Sequence, residues 1–248
     1  MFHPGMPPDW SLDGHRIDWL IGLANGLELF YFLIVAATLV TVIVLFRRRA
    51  DRKATFADGG RRRDLWLTLS LAVLVFVSVD VNLELHANAD LEHHFWRFPA
   101  AKDALRVEVM PQQWAWNFRY AGPDGEFGTA DDVVTLNDLR IPVGRPILVQ
   151  LQSKDVIHSF TLPFYRLKID ANPGAITEAW FEAAEPGKSE VACSQMCGWA
   201  HYLMRGEVTA LPPAEFEAWV GRASANSKLG HDPDDPLAQW GWRWRERD

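Results

Sequence analysis

The chain has 248 residues, 48% of them hydrophobic and 23% charged, which is enough for a folded domain of ordinary size and something besides. Its formal net charge of −7 argues against nucleic acid as a partner, since an acidic surface repels phosphate and attracts basic proteins. No Cys-x-x-Cys-His sequence occurs anywhere, which excludes a fused c-type haem domain.

Residues 1–17, MFHPGMPPDWSLDGHRI, lack a basic start followed by a short apolar region and a small-residue cleavage site, so no removed signal peptide is evident. Leu20 to Phe46 is a run of 27 residues whose only charged side chain is Glu28. At about 1.5 Å per residue a helix of that length exceeds a hydrocarbon core of roughly 30 Å, and a tilted transmembrane helix is expected over 18–46. A second apolar run, Leu65–Val79, reaches only about 22 Å as a helix, so the second expected helix, 65–86, must pass through Asp80. Asp80 then needs a partner or an interface, because an ionised group facing lipid is costly. A buried helical hairpin in a soluble protein is the competing reading, and the length of the first run opposes it. The connecting loop, 47–64, carries eight Lys or Arg against three Asp. A short loop with that excess stays in the cytoplasm, which places both termini and the rest of the chain on the outer side.

From Phe98 to Asp248 there is no further spanning run, and 15 Lys or Arg stand against 21 Asp or Glu. In RVEVMPQQWAWNFRY, Val107 and Val109, then Trp114, Trp116, Phe118 and Tyr120, alternate with the period of two that marks half-buried strands, and Pro111 is expected to kink or break the run. Ile147, Val149 and Leu151 repeat the pattern, and TEAWFEAA and SEVACS are short strand-like runs between Pro and Gly punctuation. An all-β sandwich or barrel over 98–220 follows. AGPDGEFGTADD, 121–132, reads as a hairpin loop; its acids lack EF-hand spacing, which favours a solvated turn over a calcium site. Residues 221–248 form a tail ending in WGWRWRERD, whose Trp and Arg suit docking on a partner or a membrane interface.

Both cysteines lie in CSQMCGWAHYLM, residues 193–204. In an outward-facing domain the plain reading is a disulfide. The neighbours favour ligands instead, because His201 and Met204 follow Cys193 and Cys197 at short spacings and His158 stands earlier in KDVIHSF. Thiolate and thioether donors select copper, whereas zinc rarely takes methionine. A mononuclear blue site needs one thiolate, and a second is one ligand too many. Two copper ions sharing both sulfurs would use every donor, with one His on each, Met204 on one and a backbone carbonyl on the other.

With DVIHSF at 155–160, DANPG at 170–174 and CSQMCGWAHYLM at 193–204, the chain resembles subunit II of haem-copper cytochrome c oxidases over roughly residues 15–220. The resemblance implies a two-helix transmembrane hairpin followed by a cupredoxin-like domain in a bacterial plasma membrane. It implies a binuclear copper centre, CuA, held by His158, Cys193, Cys197, His201, Met204 and the main-chain carbonyl of Gln195. Trp114 corresponds to the family's tryptophan that receives the electron and Trp116 to a supporting one, although plain strand packing also accounts for both. Cytochrome c would be the donor, docking in a field to which Asp155 and Asp170 contribute, and a haem in subunit I the acceptor, where oxygen is reduced. Three departures stand out. Gln195 replaces a glutamate that helps bind magnesium at the subunit I boundary, and an amide is a poorer ligand for that hard cation. Ala115 and Gln112 replace a tyrosine and a histidine beside the tryptophans. The acidic residue at which protons enter ahead of the second helix has no clean counterpart except Asp64. Other readings are the CuA subunit of a nitric oxide reductase and a membrane-anchored copper-delivery or thiol protein, the latter opposed by the second helix.

Overall fold

In lipid a backbone must satisfy its own polar groups, and a long apolar run does so as a helix. The computed structural model, which describes residues 5–51, 53, 59–230 and 234, has two such helices. The first, α1, spans Gly14–Phe46. It begins ahead of the expected residue 18 because Ser11 caps it: the Gly14 N–H donates to Ser11 Oγ at 2.7 Å, and Ser11 is in turn held by Asp9. The second runs Arg62–Phe95 as α2 (Arg62–Phe76), a π turn (Val77–Val81), α3 (Asn82–Asp90) and a second π turn (Leu91–Phe95). It therefore outlasts the expected end at 86. The helices pair antiparallel: Arg16 Nε meets Asp90 at 2.8 Å, Trp19 packs edge-on against His86, and Tyr31 Oη bonds Ser78 in the first π turn. Asp80 is exposed on that turn.

Residues 5–15 and 97–230 belong to a separate unit built on two five-stranded sheets. One, in the order β3-β2-β1-β5-β8, comprises Val133–Leu136, Ala115–Tyr120, Leu105–Gln112, Pro146–Leu151 and Thr177–Glu182. The other, β4-β10-β9-β6-β7, comprises Asp138–Pro142, Arg205–Leu211, Gly187–Cys193, His158–Leu162 and Leu167–Ala171. Pairs β1/β5 and β4/β10 are parallel and the rest antiparallel. Val107, Val109, Trp116, Phe118, Tyr120, Ile147, Val149 and Leu151 from the first sheet and Leu139, Ile141, Phe160 and Val191 from the second fill the core. This is the β-sandwich that the alternating pattern predicts.

Four details depart from the sequence expectations. Pro111 does not break β1, which continues to Gln112 opposite Ala115; the Pro111 carbonyl still accepts the Lys154 N–H at 3.1 Å, and the chain turns at Gln113 and Trp114. Glu108 interrupts the alternation because it is buried with Arg119, which also faces Asp132 at 3.8 Å. Asp131 and Asp132 of the 121–132 loop are thus not free in solvent: Asp132 accepts the Gly128 N–H, and Asp131 accepts from Thr129 and lies 3.4 Å from Lys228 Nζ. Helix α4, Pro213–Gly230, crosses the expected boundary at 221 and seats Trp219 edge-on against Tyr120. The Trp-rich end of the chain lies outside the described residues.

The N-terminal segment is part of this unit. Trp10 N–H donates to the Phe164 carbonyl, Leu12 N–H to Glu182, and the Trp10 carbonyl accepts from Ala184.

Candidate metal centre

Strands β6, β9 and β10 bring the sulfur and nitrogen donors to one end of the second sheet. His158 opens β6, and Cys193 closes β9, where it pairs with Phe160. The loop Ser194–Met204 then returns the chain to β10, closed at its base by Cys193 N–H to the Met204 carbonyl at 3.3 Å. Inside the loop, Leu203 N–H to Ala200 and Met204 N–H to His201 form tight turns that point His201 and Met204 inward. Gly198, at φ +123°, presses against the turn between β1 and β2, where a Cβ would stand 2.8 Å from Gln113 Nε2 and 3.0 Å from Trp114 Cζ2.

The two Sγ atoms are 3.7 Å apart, well beyond the roughly 2.05 Å of a disulfide, and both cysteines are free. Cys193 Sγ lies 3.9 Å from His158 Nδ1 and 3.2 Å from the Gln195 carbonyl oxygen. Cys197 Sγ lies 3.5 Å from His201 Nδ1 and 3.8 Å from Met204 Sδ. His158, Cys193 and Cys197 offer ligand atoms within 4.8 Å of one another. Donors that share one ion at about 2.0–2.3 Å in a tetrahedral field sit about 3.3–3.8 Å apart, so these spacings match a ligand set. Each imidazole approaches a different sulfur, and the soft thiolate and thioether donors fit copper.

The surroundings orient the donors. His158 is fully buried, and its Nε2 bonds Asp155 Oδ1 at 2.9 Å, which turns Nδ1 toward Cys193. Asp155 also accepts the N–H groups of Gln113 and Val156, both at 2.7 Å. Burial raises the Asp155 carboxyl, but these bonds outweigh it and hold the group below the usual carboxylate range. For His158, burial works downward, and the bonds to Cys193 and Asp155 prevail and raise it. Burial likewise opposes ionisation of Cys193, yet the bonds to His158 and to neighbouring backbone bring its thiol down to about 6. Burial and the adjacent Cys193 thiolate push Cys197 up to about 12.

Each residue singled out from sequence has a definite place. His158, Cys193, Cys197, His201, Met204 and the Gln195 carbonyl converge, while the Gln195 side chain is exposed. Trp114 is half-buried and its indole N–H donates to the Cys197 carbonyl at 3.2 Å. Trp116 is fully buried against Phe160. Asp170, half-exposed, accepts from Ser159 Oγ at 2.6 Å and pairs with Lys168 at 3.4 Å. The support that Asp155 gives His158 went unread, although an acid three residues before a ligand histidine was a legible signal. Gln113, whose Nε2 donates to the Cys197 carbonyl at 2.8 Å, was also missed.

Comparison with known proteins gives consistent matches. Residues 105–210 match the family described as cytochrome c oxidase subunit II, periplasmic domain. The alternative cytochrome c oxidase subunit 2 of Bradyrhizobium diazoefficiens is 32% identical over 89% of this chain and 86% of its own length. The haem-copper oxidase subunit 2 of Aeropyrum pernix is 39% identical over 48% of this chain and 49% of that protein. A crystal structure of the periplasmic domain of subunit II of cytochrome oxidase from Bradyrhizobium japonicum, 31% identical, covers 52% of this chain and 99% of that one, with a TM-score of 0.46.

Proposed function

The chain belongs to the cytochrome c oxidase subunit II family, and on that premise we propose that it takes single electrons from a cytochrome c on the outer side of the membrane. It passes them to a haem-bearing subunit I, where oxygen is reduced. The observation that carries this reading is the pair of unbonded sulfurs 3.7 Å apart, each with its own imidazole. A binuclear copper centre, held by His158, Cys193, Cys197, His201, Met204 and the Gln195 carbonyl, would supply a one-electron couple for this transfer.

The chain's own residues do the rest. Cys193 and Cys197 hold both sulfurs in a fixed frame, because one ends a strand and the other is clamped through its carbonyl by Gln113 and Trp114. Asp155 fixes the ring of His158, and the buried Met204 side chain keeps water from the inner side. A frame that does not relax keeps the reorganisation cost of each transfer low.

Two features support an outward orientation of the metal centre. Residues 10–12 bond to the same unit that bears the donors, so the N-terminal segment and the metal centre share one side of the membrane. The basic loop 47–64 then lies in the cytoplasm, and the copper domain faces outward, periplasmic in a bacterium. The excess of acids over bases after residue 98 draws in a basic donor, with Asp155 and Asp170 adding to the field.

Electron paramagnetic resonance of the copper-loaded full chain tests the centre. One electron shared by two equivalent coppers gives a seven-line hyperfine pattern, and a four-line spectrum refutes the binuclear assignment.

A further inference from the structure

The loop that carries Cys197, His201 and Met204 also carries four large side chains that point away from the domain. Met196 is 74% exposed, Trp199 79%, Tyr202 67% and Leu203 60%. Four large apolar and aromatic side chains exposed on a single loop are unusual for a surface facing only water, and Trp, Tyr and Met are the residues enriched at protein interfaces.

Trp199 connects this patch to the metal centre. Its ring meets Trp114 edge to face at a centroid distance of 5.5 Å. Trp114, half-buried behind it, donates its indole N–H to the Cys197 carbonyl at 3.2 Å. Gly198 makes the arrangement possible, since its positive φ and lack of a side chain let the loop lie flat against Trp114. Of these two rings Trp199 is the more exposed, and Trp114 is the one bonded to the Cys197 backbone.

We propose that Trp199, framed by Met196, Tyr202 and Leu203, is the docking anchor for a basic, haem-bearing electron donor and the first aromatic group its electron meets, with Trp114 as the inner relay to Cys197. This rests on the reading that the chain accepts electrons from a soluble cytochrome. The occupant is fixed by two observations: the surplus of acids after residue 98 selects a basic partner, and a patch one ring and one hydrogen bond from a ligand residue has use for a redox partner above any other. One electron leaves a ferrous haem, which becomes ferric, and the centre ligated by Cys197 is reduced by one. No bond forms or breaks and no proton moves.

The test uses the intact oxidase complex containing wild-type chain, Trp199→Ala, Trp199→Phe, or Leu229→Ala as a control for loss of an exposed apolar side chain elsewhere. Binding of a basic mitochondrial cytochrome c is measured at low ionic strength in copper-loaded and copper-depleted complexes. Reduction by flash-generated ferrous cytochrome is compared with reduction by a small-molecule reductant. The expected result for Trp199→Ala is a Kd raised about tenfold, with or without copper, and cytochrome-driven reduction slowed at least tenfold. The copper spectrum and the small-reductant rate stay unchanged, and Trp199→Phe recovers most of the binding. If Trp199→Ala matches Leu229→Ala while wild type is reduced normally, this inference is overturned and the functional reading stands. If Trp199→Ala instead blocks assembly with the membrane subunits at unchanged Kd, the patch belongs to those subunits and the inference is again wrong. A wild-type complex that ferrous cytochrome does not reduce overturns the functional reading itself.

Discussion

Removing the carboxylate of Asp155 isolates the contribution of ligand orientation to copper affinity. Asp155 accepts three bonds, from His158 Nε2 at 2.9 Å and from the N–H groups of Gln113 and Val156 at 2.7 Å. The two backbone bonds are solvent-exposed, so those donors can turn to water at little cost. His158 is different, because its side chain is 0% exposed and its Nε2 has no water to turn to. An unpaired buried group costs about 1–3 kcal/mol, or roughly fivefold to 150-fold in an equilibrium constant at about 1.4 kcal/mol per decade. The loss falls on metal binding to the extent that the ring no longer aims Nδ1 at Cys193, and loss of such orienting partners typically costs tenfold to a hundredfold in metal affinity. Asp155→Ala should therefore lose copper to a competing chelator about 10 to 100 times more readily than wild type, and Asp155→Asn, which keeps one acceptor, should fall between. Thermal unfolding of the metal-free variants separates this from a general loss of stability. An Asp155→Ala chain that holds copper within twofold of wild type would show that His158 is positioned by packing alone, and the argument from the hydrogen bond would be wrong.

Four further outcomes follow from the same geometry. Gly198→Ala places a Cβ 2.8 Å from Gln113 Nε2 and 3.0 Å from the Trp114 ring at φ +123°; the strain of about 1–3 kcal/mol should lower the melting temperature by at least about 2 °C, and an unchanged calorimetric scan would contradict the packing. Arg119→Met leaves the buried carboxylates of Glu108 and Asp132 without their cation, at about 3–5 kcal/mol near neutral pH. Burial already raises Asp132, and losing Arg119 raises it further, so the deficit is full above that folded pKa and shrinks as pH falls and the carboxyl protonates; denaturant midpoints that do not converge with wild type at low pH would refute this. In the metal-free chain one thiol should react with iodoacetamide with a midpoint near pH 6 and vanish in Cys193→Ser, while Cys197 stays unreactive; a midpoint above pH 8 would mean that His158 does not stabilise the thiolate. Reduction by a basic cytochrome should slow as ionic strength rises, and a salt-independent rate would exclude an acidic docking face.

Much of the molecule could be read from local pattern. The apolar run Leu20–Phe46 dictates a helix whatever surrounds it, and the alternation through Trp116, Phe118 and Tyr120 dictates a strand with one buried face. The metal-binding loop was legible for a related reason: Cys193, Cys197, His201 and Met204 sit in one hairpin connection, so chain geometry alone keeps them within reach of one another. Donor type then restricted the metal.

Other features depended on contacts between segments far apart in sequence. Pro111 stays in its strand because its neighbours supply the pairing and its carbonyl still finds Lys154. The N-terminal segment joins the β unit through bonds to Phe164 and Glu182, residues that no pattern near Trp10 could disclose. Asp155 stands three residues before His158, but the N–H of Gln113 that also holds it comes from a turn 42 residues away. Trp199 reads as one more aromatic residue until the loop folds against the β1–β2 turn and brings it to Trp114. Periodicity and spacing report what a segment does with its own backbone and solvent; which ring meets Trp114, and which side chains hold the Cys197 carbonyl, is set by packing between segments more than 80 residues apart.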